Sequence, residues 1–415
     1  MRFNLLVLSV LTACPVDLPP PVVSEAGMIP TRDATLNTDT GRPQDGGAIS
    51  IDGGTMDVGM DTTPPIDGGD LPDAGSDAGV VDVGFERGTP EYYGERLYRY
   101  YCGFCHGYQG EGYRSDNANA LSNPNFLRSA TREFWDEAII YGRPGTPMSA
   151  WGREMGGPLR AIDVDDIMAY VAYWDHPEPI EGLHEQVVTG DRDRGWDLYL
   201  QMGCDDCHGE DGSGITAPGV SNPWLLESAS DGFLRYAIAE GRPGPDMPGY
   251  ENILSDQEID DLVVLLRSWA TPVNREPPEP FEPDLSEPLI NPDGEAASFV
   301  PREGTFYVPA QQVYDQLVSG RRMILADARA TSDYLVGHIS GAVSLPFYDE
   351  IVQEAIEVLP RDTWIIAYCG CPHAVSGRLA QALIDGGFEY VGVLDEGYYY
   401  WRDERWPITN GRERY

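Results

Sequence analysis

Two five-residue segments, Cys102-Gly103-Phe104-Cys105-His106 and Cys204-Asp205-Asp206-Cys207-His208, set a pair of thiols three positions apart, each pair followed by an imidazole. Thiols at this spacing add across the two vinyl groups of one porphyrin, and the adjacent histidine is then held where a ring nitrogen reaches the iron. The chemistry read here is covalent attachment of two c-type haems. Cys102 and Cys105 would hold one, Cys204 and Cys207 the other, with His106 and His208 as proximal ligands. A short-loop disulfide or a thioredoxin-like redox pair uses the same thiols but leaves both histidines without a role.

The opposite ligand emerges when the chain is aligned with itself. Leu121-Ser122-Asn123-Pro124 recurs as Val220-Ser221-Asn222-Pro223, and Gly142-Arg143-Pro144-Gly145 recurs as Gly241-Arg242-Pro243-Gly244 at the same offset. A methionine follows each second landmark, Met148 and Met247. A thioether opposite an imidazole favours ferrous iron and raises the potential, so these two are the candidate distal ligands. Met155 has no counterpart in the second copy, and Met202 precedes its motif; both read as core fillers.

These residues need helices to position them. Tyr92 to Tyr101 reads as a helix with Gly94 and Tyr98 four apart, and Gly195 and Tyr199 repeat that spacing. Thr131 to Tyr141 and Ser230 to Glu240 read as short helices stopped by Gly142 and Gly241. Each copy closes on an amphipathic pattern, Ile167, Tyr170, Val171 and Trp174, then Ile259, Leu262, Val263 and Leu266. Ser255 to Glu258 forms a capping box ahead of the second. A glycine where helices cross lets their backbones approach closely. Each copy resembles class I cytochrome c over its whole length. That resemblance implies an all-α fold, electron transfer, and a proline carbonyl orienting the axial histidine, with Pro124 and Pro223 as the matching candidates or simply as turn-formers.

Farther on the periodicity changes. Met323 to Ala326 and Trp364 to Tyr368 are apolar runs of buried-strand type, alternating with helical stretches at Gln311 to Ser319 and Gly377 to Asp385. That alternation predicts α/β with a parallel sheet. The second strand ends on Cys369, ahead of a helix whose free N–H groups stabilise a thiolate, which makes Cys369 a candidate nucleophile. Asp327-Ala328-Arg329, Gly337-His338-Ile339-Ser340-Gly341-Ala342, and Gly397, Trp401 and Pro407 together make the segment from about Val300 to Tyr415 resemble a rhodanese domain. The resemblance implies a persulfide on Cys369 and a loop-closing role for Arg378. The loop from Cys369 to Arg378 is longer than the family's six-residue cradle and keeps only His373 and Arg378 as basic groups, which puts thiosulfate in doubt as the donor. Cys371 is placed to attack a Cys369 persulfide, releasing sulfide and leaving a disulfide; an adventitious disulfide is the other reading. His338 reads as a turn residue rather than a catalytic one.

The first residues run through the apolar segment Leu5 to Leu11 into Leu11-Thr12-Ala13-Cys14. This resembles the lipobox of bacterial lipoproteins and implies cleavage and acylation at Cys14; an ordinary secretory signal is the alternative. Either exports the protein to the periplasm or cell exterior, and the lipid would hold it on a membrane. The formal net charge is −40 and the sequence contains no lysine, which excludes nucleic acid as a partner and calls for a redox partner with a basic surface.

The expected organisation is a multidomain chain of two all-α class I cytochrome c domains followed by an α/β rhodanese-like domain. Residues 1–14 form the signal and lipobox. Residues 15–88 form an Asp/Gly/Pro tether that spans on the order of 50 Å; its irregular Asp-Gly spacing argues against a calcium repeat. The cytochrome domains occupy 89–179 and 180–272, a stiff Pro-rich linker 273–300, and the rhodanese-like domain 301–415. Fusion of the modules suggests oxidation of a sulfane or thiol sulfur at Cys369, with a sulfane donor and a thiol acceptor as small partners. A plain electron shuttle with an inactive binding module and a Cys369/Cys371 thiol sensor are the competing readings.

Overall fold

Thr89 opens the first helix by accepting a hydrogen bond from the Tyr92 amide at 3.3 Å, with Pro90 at the first helical position, where its missing N–H costs nothing. The computed structural model describes residues 84–113, 118–174, 177–244, 247–279, 281–348, 350–370 and 375–415, all belonging to one compact unit. The first repeat holds α1 (Pro90–Leu97), α2 (Gly103–His106), α3 (Pro124–Leu127), α4 (Arg132–Ile140) and α5 (Ala161–Val171). The second holds α6 (Arg192–Gln201), α7 (Cys204–His208), α8 (Pro223–Ser228), α9 (Asp231–Glu240) and α10 (Asp256–Ser268).

The helix expected over 92–101 is broken. At Tyr98 it widens into a π-helical turn, Tyr98–Cys102, before α2 resumes. Such turns insert a residue into the ladder and re-aim the side chains that follow, here the first attachment cysteine.

In both repeats the first helix crosses the last at a glycine. A β-carbon on Gly94 would lie 1.8 Å from the Asp166 carbonyl oxygen, and one on Gly195 would lie 2.2 Å from that of Asp261. Tyr98 donates from its hydroxyl to the Gly107 carbonyl at 3.1 Å, and Tyr199 donates to that of Gly209 at 2.7 Å. The Ser255–Glu258 capping box forms as the sequence predicts.

The two repeats pack against each other through the recurring landmarks themselves. Asn123 donates to the Pro243 carbonyl at 2.6 Å, and Asn222 donates to the Pro144 carbonyl at 3.0 Å. Phe134 stacks on Phe233 and Tyr141 on Trp224, and Arg275 reaches both Glu137 (2.9 Å) and Glu227 (3.7 Å). Each surface meets its own counterpart, as in a two-fold dimer joined into one chain.

The C-terminal domain contains β1 (Tyr307–Val308), α11 (Ala310–Val318), β2 (Ile324–Asp327), α12 (Thr331–Val336), β3 (His338–Ile339), β4 (Val343–Ser344), α13 (Ile351–Val358), β5 (Ile365–Tyr368), α14 (Val375–Asp385), β6 (Val391–Leu394), α15 (Gly397–Asp403) and β7 (Ile408–Thr409). Its five-stranded sheet has the order β1-β6-β5-β2-β4 with every pairing parallel, and β3 and β7 form a separate antiparallel pair. Alternate strand residues serve opposite faces. Ile324, Ala326, Ile365 and Ala367 join a cluster with Val352 and Leu379, whereas Leu325, Ile366 and Tyr368 join one with Val313 and Trp401. Burial on both faces explains why these strands read as continuous apolar runs.

The Pro-rich stretch, expected as a stiff linker, packs as part of the C-terminal domain. Leu285, Ile290, Ala297 and Phe299 are buried, and Ile290 exchanges main-chain hydrogen bonds with Met323. Apolar residues interleaved with the prolines lay the segment onto the C-terminal domain, where burial outweighs chain stiffness.

Candidate functional site

The attachment motifs sit on short helices with their histidines fixed from behind. His106 Nδ1 lies 2.9 Å from the Asn119 carbonyl oxygen, and His208 Nδ1 lies 2.8 Å from that of Pro218. An Nδ1–H held by a carbonyl leaves Nε2 as the nitrogen that reaches a metal. Burial lowers the pKa of both imidazoles, opposed by these hydrogen bonds, so the neutral, ligating form is favoured. Pro124 and Pro223 are not the orienting residues. Each occupies the first turn of α3 or α8, behind an asparagine cap, where fixed φ and the lack of an N–H suit it.

Among the described residues Cys102, Cys204 and Cys207 form no disulfide. Burial pushes Cys102 up to about 12 and Cys204 up to about 11, so both are neutral thiols in apolar surroundings.

The methionine loops are built alike. Gly142 and Gly241 take left-handed conformations (φ 65° and 67°), and a β-carbon on either would meet main chain at 2.5 Å. The Arg143 amide donates to the Met148 carbonyl at 2.8 Å, and the Arg242 amide to that of Met247 at 2.9 Å. Both methionines are half-buried, whereas Met155 is buried in the core.

Beside each methionine loop is a half-buried cation. Arg143 lies over Phe134 and Arg242 over Phe126 and Phe233, and burial lowers both guanidiniums to about 10. Among the described residues neither forms an ion pair. A partly desolvated charge without a counter-ion is unfavourable, and a haem brings two carboxylates. Two thiols, a neutral imidazole, a thioether and a half-buried cation therefore form a donor set that fits haem in each repeat.

The third reactive residue comes to the first of these sites. Cys369 follows β5 directly and is 1 % exposed, packed against Phe104 and Cys105 of the first attachment motif and against Val375. Its sulfur lies 3.1 Å from Ser376 Oγ. The Arg378 guanidinium reaches across to Tyr100 (3.9 Å to the ring centroid) and Phe104 (4.5 Å), and its Nε has no hydrogen-bond partner. Together these residues enclose a cavity of about 30 Å³ between the two domains.

The same domain contact holds the Met148 loop. The Tyr399 hydroxyl donates to the Thr146 carbonyl, Arg402 donates to that of Gly145 at 3.3 Å, and Asp333 accepts from Ser149 and the Ala150 amide. Asp327 and Arg329 form a buried pair, and His338 is buried with both ring nitrogens near main-chain carbonyls.

Cys371, His373 and Cys14 lie outside the described residues. Sequence reasoning did not find Tyr100, Phe104, Asp333 or Ser376. Only Ser376, at the start of a helix after a candidate nucleophile, carried a local signal.

Family profiles agree with this architecture. The profile described as cytochrome C oxidase, cbb3-type, subunit III matches residues 93–171, that of cytochrome c matches 193–270, and that of the rhodanese-like domain matches 310–404. The chain is similar to the Cbb3-type cytochrome c oxidase subunit CcoP of Helicobacter pylori (strain 52), 28 % identical over 179 residues, or 42 % of this chain. It spans 57 % of that relative's length. Among solved structures it resembles the rhodanese-like domain of an Anabaena sp. protein, with 27 % identity, a TM-score of 0.24, and coverage of 25 % of this chain and 79 % of that one. A c-type cytochrome is 29 % identical with a TM-score of 0.17, covering 19 % of this chain and 98 % of its own. The chain thus carries cytochrome c domains, which bear covalently attached c-type haem and its iron and transfer electrons, followed by a rhodanese-like domain.

Proposed function

We propose that the protein oxidises sulfur at Cys369 and passes the electrons through two haems, one per repeat, to an external acceptor. The observation that carries this reading is the packing of Cys369 against Cys105 and Phe104, which brings the candidate sulfur nucleophile to an attachment thiol of the first haem site. When bound, haem supplies a one-electron acceptor at each site.

The rest is done by side chains. Ser376 is a hydrogen-bond partner for the Cys369 sulfur, Arg378 places a cation beside it, and Tyr100, Tyr101, Phe104 and Trp151 wall the space. Asn123, Asn222 and the stacked rings lock the repeats together, which supports onward transfer from the first site to the second.

The same reading places the protein outside the cytoplasm, anchored through lipid on Cys14 and serving a redox partner with a basic face. The motif at Leu11 to Cys14 and the charge of −40 support it. The test mixes anaerobic ferric protein with sulfide, thiosulfate, polysulfide and a small persulfide while recording haem absorbance. The wild type should be reduced by at least one of them and Cys369→Ser only at a residual rate. Reduction by none, or equal reduction of both proteins, would leave an electron shuttle carrying a binding module.

A further inference from the structure

Resting on that reading, we infer that the substrate taken at Cys369 is hydrosulfide, a single-sulfur anion, and not thiosulfate or a larger persulfide donor. Size comes first. The cavity at Cys369 has a volume of about 30 Å³, and one water-sized sphere needs roughly 10–15 Å³. It admits one sulfur atom beside the thiol but not the sulfonate of thiosulfate or a peptide-sized persulfide. Covering by the first repeat also closes Cys369 to protein sulfur donors, since the residue is 1 % exposed.

Charge comes second. The walls include the rings of Tyr100, Tyr101, Phe104 and Trp151, and Arg378 is the one charged side chain among the described lining residues. Its Nε lacks a partner and is completely buried. An unsatisfied donor on a buried cation calls for a small anion, and hydrosulfide is both small enough and apolar enough for aromatic walls.

The reaction balances with the acceptors the reading already names. Hydrosulfide sulfur bonds to the Cys369 thiolate sulfur, its S–H bond breaks, and the proton leaves to solvent. Two electrons must leave, which two haems, when bound, would accept one each, and a Cys369 persulfide anion remains. The two-electron demand of the S–S bond matches the two sites in the chain.

The experiment uses anaerobic ferric holoprotein mixed separately with sodium sulfide, thiosulfate and glutathione persulfide. It reads haem reduction by absorbance and sulfur on the Cys369 peptide by mass spectrometry. Sulfide should add one sulfur atom to Cys369 for every two irons reduced, and the other two donors should add none. Arg378→Gln should demand more sulfide for the same loading. Val375→Ala, which widens the cavity, should begin to accept thiosulfate. Loading of wild-type Cys369 by thiosulfate or glutathione persulfide as readily as by sulfide overturns the hydrosulfide assignment and leaves the coupling intact. Loading by sulfide without faster iron reduction than in Cys369→Ser overturns the coupling itself.

Discussion

Cys369 of the rhodanese-like domain packs against Cys105 of the first attachment motif, so two thiols far apart in sequence share one apolar wall. The contact is part of a broader seat. Arg378 covers Tyr100 and Phe104, Phe347 and Tyr348 lie against Tyr101, and the Tyr348 hydroxyl donates to the Gly156 carbonyl at 3.0 Å. Aromatic burial of this extent fixes the orientation of the domains more firmly than a linker would.

Asp333 gives that seat a pH dependence. Burial pushes its carboxyl up to about 6, against the lowering effect of Arg329 and of the hydrogen bonds from Ser149 and Ala150. Between about pH 4 and 6 the folded protein keeps a proton the unfolded chain has released, so this group's contribution to stability falls as pH rises through that window and is flat above it. The total is about 3 kcal/mol. Asp166 is shifted the same way, so the comparison must be with Asp333→Asn. Urea unfolding of that variant should show a shallower decline from pH 4 to 6; an identical decline would remove Asp333 from the account.

The half-buried guanidiniums of Arg143 and Arg242 await a carboxylate in the haem reading. Replacing Arg242 with glutamine removes a positive charge near one site, which favours ferric iron and lowers that site's potential while the other stays put; Arg143→Gln should lower the potential of the other site instead. Spectroelectrochemical titration distinguishes the two sites, and unchanged potentials in both variants would mean that neither cation faces a haem.

Gly94 and Gly195 have no room for a side chain. Gly94→Ala drives a methyl into the Asp166 carbonyl and should destabilise the first repeat by about 3 kcal/mol, the upper end of the overpacking range. Gly195→Ala should act alike on the second repeat. Thermal unfolding within a degree of wild type would show that the helices slide apart at little cost.

The sequence disclosed what local spacing encodes. Attachment thiols, glycine crossings and loop landmarks recur because each must be rebuilt within its own repeat. The carbonyls behind His106 and His208 stayed hidden because any residue can supply a main-chain oxygen, and Asn119 does so in one repeat and Pro218 in the other. The prolines that looked apt for that role were helix starters. The pairing of Asn123 with Pro243 and of Asn222 with Pro144 was visible as two repeated motifs but not as a contact, since periodicity says nothing about which surfaces meet. The apposition of Cys369 and Cys105 left no trace in either segment, because packing across domains needs only complementary shape.

Freeze-quench electron paramagnetic resonance tests the central claim most directly. Met148→His and Met247→His each move one ferric signal and so identify the two irons. On anaerobic mixing with sulfide, the signal displaced by Met148→His should vanish first and the other should follow, while in Cys369→Ser both should persist. Earlier loss of the second-repeat signal, or equal loss with and without Cys369, would contradict delivery of electrons from Cys369 into the first haem.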